Sequence, residues 1–228
     1  MAVVKVGWSG GKDSTCAVMM HIERGDKVKA VCYVPMFTEA IPLLLEKHYS
    51  YIIQTASYFE RLGADVHIVS GMTYWDYVTH RAIRGKYKGE MFGFPCFIVG
   101  QCGFKRDSKL KALQKCDVGE YDYECIAIAV DETKRHSQLT DFKRSILVEE
   151  NITEDEAKKY CEKNGILSPL YELSTRDGCV LCPNAKKEIR EMWFEDFPGA
   201  KPLLIELQNI VRQEKPHQTP LRNYEWFI

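Results

Sequence analysis

The stretch Ser9-Gly10-Gly11-Lys12-Asp13-Ser14 restricts this chain more than any other. An apolar, β-branched run over residues 2–7 precedes it and predicts a short buried strand. Residues 15–24 follow with helical character and stop at Gly25. A strand, a glycine turn and a helix start, in that order, build an anion cradle. The glycines let backbone N–H groups turn towards one point, and the free N–H groups and positive dipole end of the helix aim at the same place. Ser9 and Ser14 add hydroxyl donors and Lys12 adds a compact positive charge, so the expected ligand is a phosphate. The common nucleoside-triphosphate loop needs four residues between its glycines and then Gly-Lys-Ser/Thr. Gly10 and Gly11 are adjacent, which excludes that loop.

The rest of the chain alternates strand and helix patterns. Residues 28–34 read as a second strand, ended by Pro35. Pro42 suits the first position of a long helix to Leu62, in which Leu45, Tyr49, Ile52, Ile53, Ala56 and Phe59 recur at helical spacing before the stop at Gly63. Residues 65–70 read as a third strand and 73–84 as a helix. Residues 85–103 carry five glycines, one proline and two cysteines with little periodicity, the pattern of a functional or mobile loop. Residues 106–115 read as a basic helix and 124–130 as a buried strand. Such alternation implies an α/β fold, a Rossmann-like parallel sheet flanked by helices, with ligands beyond the carboxyl ends of its strands.

After about residue 140 the character changes. Thr153-x-x-Glu156 is a capping box for a helix ending near Gly165, residues 167–177 are irregular, and 184–195 and 201–213 read as helices. The expected organisation is an α/β domain over residues 1–140 and a mostly helical C-terminal extension over 141–228, with a soft boundary at 136–150. A formal net charge of −1 provides no global basic field, so a nucleic-acid partner would need a local patch. No apolar run approaches the roughly 20 residues that span a bilayer, and no signal-peptide pattern opens the chain. Nine cysteines without an export signal suit reduced thiols, metal ligation or redox work, and the expected location is the cytoplasm.

Several segments carry a family resemblance. Ser-Gly-Gly-Lys-Asp-Ser at 9–14 resembles the pyrophosphatase loop of the adenine-nucleotide α-hydrolase (PP-loop) superfamily. Gly93-Phe94-Pro95 with Cys102 and Lys109, Ile128-Ala129-Val130-Asp131-Glu132 with Arg135, Ser168-Pro169-Leu170-Tyr171, and Arg176-x-Gly178-Cys179-x-x-Cys182-Pro183-Asn184 follow in the order of phosphoadenosine-phosphosulfate (PAPS) reductase-like proteins. The resemblance runs from residue 9 to about 198 and implies an adenine nucleotide α-hydrolase-like sheet with a Cys-x-x-Cys knuckle in the extension. Departures accompany it. No cysteine follows Cys182, where sulfonucleotide reductases carry a tail thiol, and Gly103 stands where cluster-bearing relatives have a second adjacent cysteine. The loop itself is closer to ATP-splitting relatives.

Cys179 and Cys182 offer two thiolates from one tight turn, spaced as in many zinc and iron–sulfur sites. Cys96 and Cys102 are the best candidates to complete the set, and four thiolates suit Zn²⁺ or a [4Fe–4S] cluster. The resemblance leans towards iron–sulfur, and a redox dithiol is the third option. Cys16, Cys32, Cys125 and Cys161 lie in apolar patterns and read as small core residues. Among the charged residues, Lys12, Lys109 and Arg135 are the candidate catalytic cations facing phosphate or sulfate. Asp131 and Glu132, with Asp13, are candidates for holding Mg²⁺ on the pyrophosphate or for fixing Arg135.

The resemblance thus implies an enzyme that binds ATP or an adenylyl sulfate through Ser9, Gly10, Gly11, Lys12, Asp13 and Ser14. It would cleave ATP to an adenylate and pyrophosphate to activate an acceptor, a tRNA or a small molecule, with a sulfur donor or thiol reductant served by the cysteines. Sulfonucleotide reduction is the alternative. A nucleotide-binding subunit of a modification or defence complex is the third reading, and self-association stays open.

Overall fold

The structure, a computed structural model, describes residues 1–95, 97–98, 101–173, 178–182 and 185–215, with the backbone alone at 97, 98 and 101. Cys96, Gly100, Arg176, Pro183, Asn184 and the run 221–228 lie outside the described residues.

Val3–Trp8 forms β1, whose alternate residues Val4, Val6 and Trp8 are buried. The chain turns through Ser9–Gly11 into α1 (Lys12–Glu23), then β2 (Lys27–Tyr33), α2 (Glu46–Arg61), β3 (Asp65–Val69) and α3 (Tyr74–Thr79). Two short strands, β4 (Phe97–Ile98) and β5 (Gln101–Cys102), pair antiparallel. A π-helical segment (Lys105–Leu110) runs on into α4 (Lys111–Lys115). Next come β6 (Tyr123–Cys125), a 3₁₀ turn (Thr133–Gln138), β7 (Lys143–Arg144), α5 (Ile146–Glu149) and α6 (Glu154–Lys163). A 3₁₀ turn (Pro169–Glu172), α7 (Lys187–Asp196) and α8 (Ala200–Glu214) complete the described chain.

The main sheet has the order β3-β2-β1-β6-β7, and every neighbouring pair is parallel. It is an α/β fold, a five-stranded parallel sheet flanked by helices. From central β1 the chain moves one way through β2 and β3 and later the other way through β6 and β7. That reversal falls between β1 and β6, and the carboxyl ends of strands at such a point are the usual ligand position in parallel sheets. The Ser9–Gly11 turn leaves β1 at this end.

Packing divides the chain into two units, each discontinuous in sequence. The first takes Met1–Tyr33, Lys47–Val69 and Cys116–Asp177; the second takes Val34–Glu46, Ser70–Lys115 and the chain from Gly178 on. In the first, Trp8 packs edge-on against Phe59 at 5.1 Å and its indole N–H donates to Thr15 Oγ1 at 3.0 Å. Cys16, Cys32, Cys125 and Cys161 are buried there as small core residues. The second unit is built on aromatics. Phe37 meets Trp193 edge-on at 5.5 Å, and Tyr74 and Tyr77 both pack on Phe104.

Three elements differ from the sequence expectation. The helix expected from Pro42 begins at Glu46. Leu43, Leu44 and Leu45 are all buried, which three successive residues on one helix cannot achieve against a single face. Pro42 instead bridges Met36, and its carbonyl accepts the Trp193 indole N–H at 2.8 Å. The helix expected over 73–84 stops at Thr79, because Phe92 N–H bonds back to His80 and turns 80–92 into a hairpin-like loop. The strand expected over 124–130 is laddered only at 123–125, because just past it the Ile128 amide turns back to the Ile126 carbonyl at 2.8 Å and takes the chain off β1. Beyond the ladder, the amide of Val130 turns to the Ile152 carbonyl.

A buried polar knot closes the end of α1. His21 Nδ1 and Arg24 Nε both meet Asp26 Oδ2, at 2.9 and 2.8 Å, and Ala2 N–H donates to Asp26 Oδ1 at 3.0 Å. Burial pulls His21 below its ordinary value of 6.5, against the upward pull of Asp26, so the folded ring is neutral near neutrality. The unfolded chain then binds the extra proton first as pH falls, and folding stability drops below about pH 6.5. Urea midpoints compared at about pH 7.5 and 5.5 should show this loss, and His21→Gln should remove most of the slope; an unchanged slope in the variant rules the assignment out.

Candidate functional site

Two serines lace the loop after β1. Ser9 N–H donates to Ser14 Oγ at 3.1 Å, Gly11 N–H donates to Ser9 Oγ at 3.3 Å, and the Ser14 hydroxyl donates to Gly11 O at 3.0 Å. Gly10 has a φ of +76°, and a Cβ there would lie 2.9 Å from Ile52 Cγ1 and 3.1 Å from His48 Cε1. Only glycine combines that conformation with that closeness to α2. Gly11 opens α1 without a side-chain cap. The Lys12 amide donates to Tyr171 Oη at 2.9 Å, whereas the Asp13 and Ser14 amides, as second and third of the helix, have no acceptor within it. The cradle therefore points donors at the carboxyl end of β1 where the strand order reverses.

Charge converges on the same end. Lys12 Nζ lies 2.9 Å from Asp13 and 2.9 Å from Glu154 Oε1, with only 14% of its side chain exposed. Burial pulls the Lys12 ammonium down, but its bonds to Asp13 and Glu154 outweigh that and hold it up at about 12. Burial raises Asp13; its bond to Lys12 opposes this, while the charges of Glu154 and Glu132 add to it. Asp131 Oδ1 accepts the Glu154 amide at 3.1 Å at the start of α6. Glu132 binds the Arg135 guanidinium at 2.7 Å, so Arg135 is engaged by a carboxylate. The first unit thus brings Lys12, Asp13, Asp131, Glu132 and Glu154 into one electrostatic neighbourhood.

Sequence reasoning passed over Glu154 and His48 and gave Tyr171 no role. Glu154 is the first residue of α6, behind the capping box of Thr153 and Glu156. Tyr171 belongs to the Ser168-Pro169-Leu170-Tyr171 segment and reaches the loop because Ser168 starts that 3₁₀ turn, its Oγ accepting Leu170 N–H at 3.2 Å. His48 Nδ1 lies 2.8 Å from Ser168 Oγ, and its ring stacks on Tyr51 at 6.0 Å. His48 therefore touches the Tyr171 turn while lying against the Gly10 backbone. The only signal available was His48 and Tyr51 sharing a helix face.

Lys109, Cys102, Cys179 and Cys182 belong to the second unit. Lys109 is half-buried on the π-helical segment. Cys182 N–H bonds back to Cys179 O at 2.9 Å, closing the turn between the two thiols. Burial pushes the Cys179 thiol up; the Leu181 amide opposes this, and the nearby Cys182 and Cys102 sulfurs add to it. Cys102 and Cys182 are thus both neighbours of Cys179, although among the described residues no three His, Cys, Asp or Glu side chains stand within reach of a single ion. Cys96 lies outside the described residues. At Gly103 a Cβ would collide with the Tyr77 hydroxyl, so Tyr77 excludes a cysteine beside Cys102.

Gly10→Ala should lower stability by about 1–2 kcal/mol, because the left-handed conformation disfavours any Cβ and Ile52 must shift. Urea unfolding measures the loss, and a variant as stable as the parent would contradict the close approach of Gly10 to Ile52. Among the described residues no helix is long and apolar enough to cross a membrane. Compared with models of known protein families the chain matches none, and no curated protein matches its sequence.

Proposed function

We propose that the Ser9–Ser14 loop binds the pyrophosphate part of an adenine nucleotide, and that the protein splits ATP between its α- and β-phosphates. The observation that carries this reading is the uncapped start of α1, with Lys12 beside it, at the reversal point of a parallel sheet. An acceptor oxygen attacks the α-phosphorus, the bond from that phosphorus to the bridging oxygen breaks, and pyrophosphate leaves. The Asp13 and Ser14 amides bind the departing pyrophosphate, and Lys12 offsets its growing charge. For this, the nucleotide displaces Glu154 from Lys12 and Tyr171 from the Lys12 amide.

The crowded carboxylates suit a divalent cation. Their mutual repulsion, which helps raise Asp13, would be relieved by Mg²⁺ carried in with the nucleotide and held by Asp13 and Glu132; the ion would supply charge neutralisation. Cys102, Cys179 and Cys182 are soft donors of the type that takes Zn²⁺ or an iron–sulfur cluster; holding one would require them to draw together around it, with Cys96 as the fourth thiolate. Such a group would supply sulfur handling or fix the knuckle. The test is to incubate the purified protein with ATP and Mg²⁺ and follow pyrophosphate and AMP. Release of both supports the reading, whereas ADP and orthophosphate, or turnover unaffected by Lys12 substitution, overturns it.

A further inference from the structure

The positive charge of this chain is segregated. Between Ser70 and Lys115 nine Lys and Arg residues stand against three Asp and Glu, while over the whole chain 31 basic residues are outnumbered by 32 acidic ones. The first part of that segment is a hairpin-like loop, 80–92, in the second unit. Its base is fixed. Phe92 N–H donates to His80 O at 2.7 Å and Ala82 N–H to Glu90 O at 2.9 Å; Met91 is buried, and His80 packs edge-on against Phe92 at 4.9 Å. Arg81 ties the base to Glu214 at 2.8 Å.

The tip is different. Residues 83–90 are all exposed, yet their backbone is ordered by bonds from Lys88 N–H to Gly85 O and from Glu90 N–H to Tyr87 O. Arg84, Lys86 and Lys88 have no carboxylate partner among the described residues, and two large apolar side chains, Ile83 and Tyr87, stand among them 73% and 60% exposed. Lys86 Nζ lies 5.6 Å from the Tyr87 ring centre. A merely solvated loop has no need of an ordered backbone that presents an aromatic ring between unpaired cations. The basic helix shares the footing, since Tyr77 of α3 packs on Phe92 at the hairpin base and on Phe104 just before Lys105 and Arg106.

We propose that the 80–92 hairpin is a docking element for single-stranded nucleic acid. Arg84, Lys86 and Lys88 meet successive phosphates, and Tyr87 stacks on an unpaired base. Phosphates give the affinity and its salt dependence, and an exposed aromatic ring adds stacking that tolerates any base. The preordered tip reduces the entropy lost on binding. A polyanion without bases would use the cations and leave Tyr87 idle, which separates the two chemistries. This inference is independent of the loop reading.

The test uses the full chain with a fluorescently labelled oligouridine of about 20 nucleotides, its DNA counterpart, a duplex and inorganic polyphosphate, in an anisotropy titration across salt. Replacing Arg84, Lys86 and Lys88 together by Ala should weaken single-strand binding at least about tenfold and flatten the salt slope by about 2, near 0.7 for each phosphate no longer neutralised. Tyr87→Ala should weaken binding to single strands about 5- to 100-fold and leave polyphosphate binding unchanged. A preference for RNA or for DNA then identifies the strand type. Equal binding by the triple variant and the parent, equal losses for polyphosphate and RNA in Tyr87→Ala, or tightest binding to duplex overturns the proposal. The tip side chains lie outside the buried base, so circular dichroism should stay parental. Unchanged ATP binding by the triple variant separates a failure here from a failure at the loop.

Discussion

In the ATP cleavage proposed above, Lys12→Met is expected to slow pyrophosphate release by about 10²–10³-fold, the range seen when a preorganised charge-stabilising group is removed. Methionine keeps most of the side-chain volume and removes the ammonium, with its charge and its bonds to Asp13 and Glu154. Among the described residues Lys12 is the cation at the cradle itself, bonded to Asp13 and Glu154 rather than to solvent. Because charge builds on the leaving pyrophosphate, the loss should fall on kcat more than on KM. A rise in KM at constant kcat would mean that Lys12 contributes only ground-state binding. Held at about 12, Lys12 stays protonated over the working range, so no alkaline fall in rate near neutrality belongs to it. Its charged folded form is favoured at every pH below the ordinary value of 10.5, and that contribution to stability disappears only as pH rises from there towards about 12.

Trp193→Ala is expected to destabilise the protein by about 3–5 kcal/mol, the range for removing a fully buried aromatic side chain. Trp193 is 0% exposed and packs edge-on against Phe37. Its removal also leaves the Pro42 carbonyl without its indole donor, a penalty of about 1–3 kcal/mol that lies within that total. Trp193→Phe should retain the ring contact and lose mainly the hydrogen bond, so its effect should be clearly smaller. Urea unfolding monitored by circular dichroism measures both variants. A change below about 1 kcal/mol for the alanine variant would contradict the packing described for Phe37 and Trp193.

The elements that could be read in advance are those whose cause is local. The Ser9–Ser14 loop, its flanking strand and helix, and the capping box at Thr153 each depend on neighbours a few residues away. What could not be read depends on distant partners. Glu154 reaches Lys12 across 142 residues and Tyr171 reaches it across 159, and no local pattern marks either meeting. Pro42 has the look of a helix start because proline is well suited to a first turn, yet the three buried leucines behind it require an irregular path. The strand at 123–125 is short because Ile128 turns back to Ile126 and bonds to the Ser145 side chain, a distant partner that the apolar run itself does not announce.

The central strand has a kinetic consequence. β1 is made before both of its neighbours, and β2 covers one of its edges soon after, but the other edge waits for β6, whose Tyr123 pairs with Val4. Until then a nascent chain presents an apolar strand with unpaired backbone groups, the feature that invites association between chains. Chaperone dependence during synthesis, and aggregation of polypeptides interrupted before Tyr123, follow from that strand order.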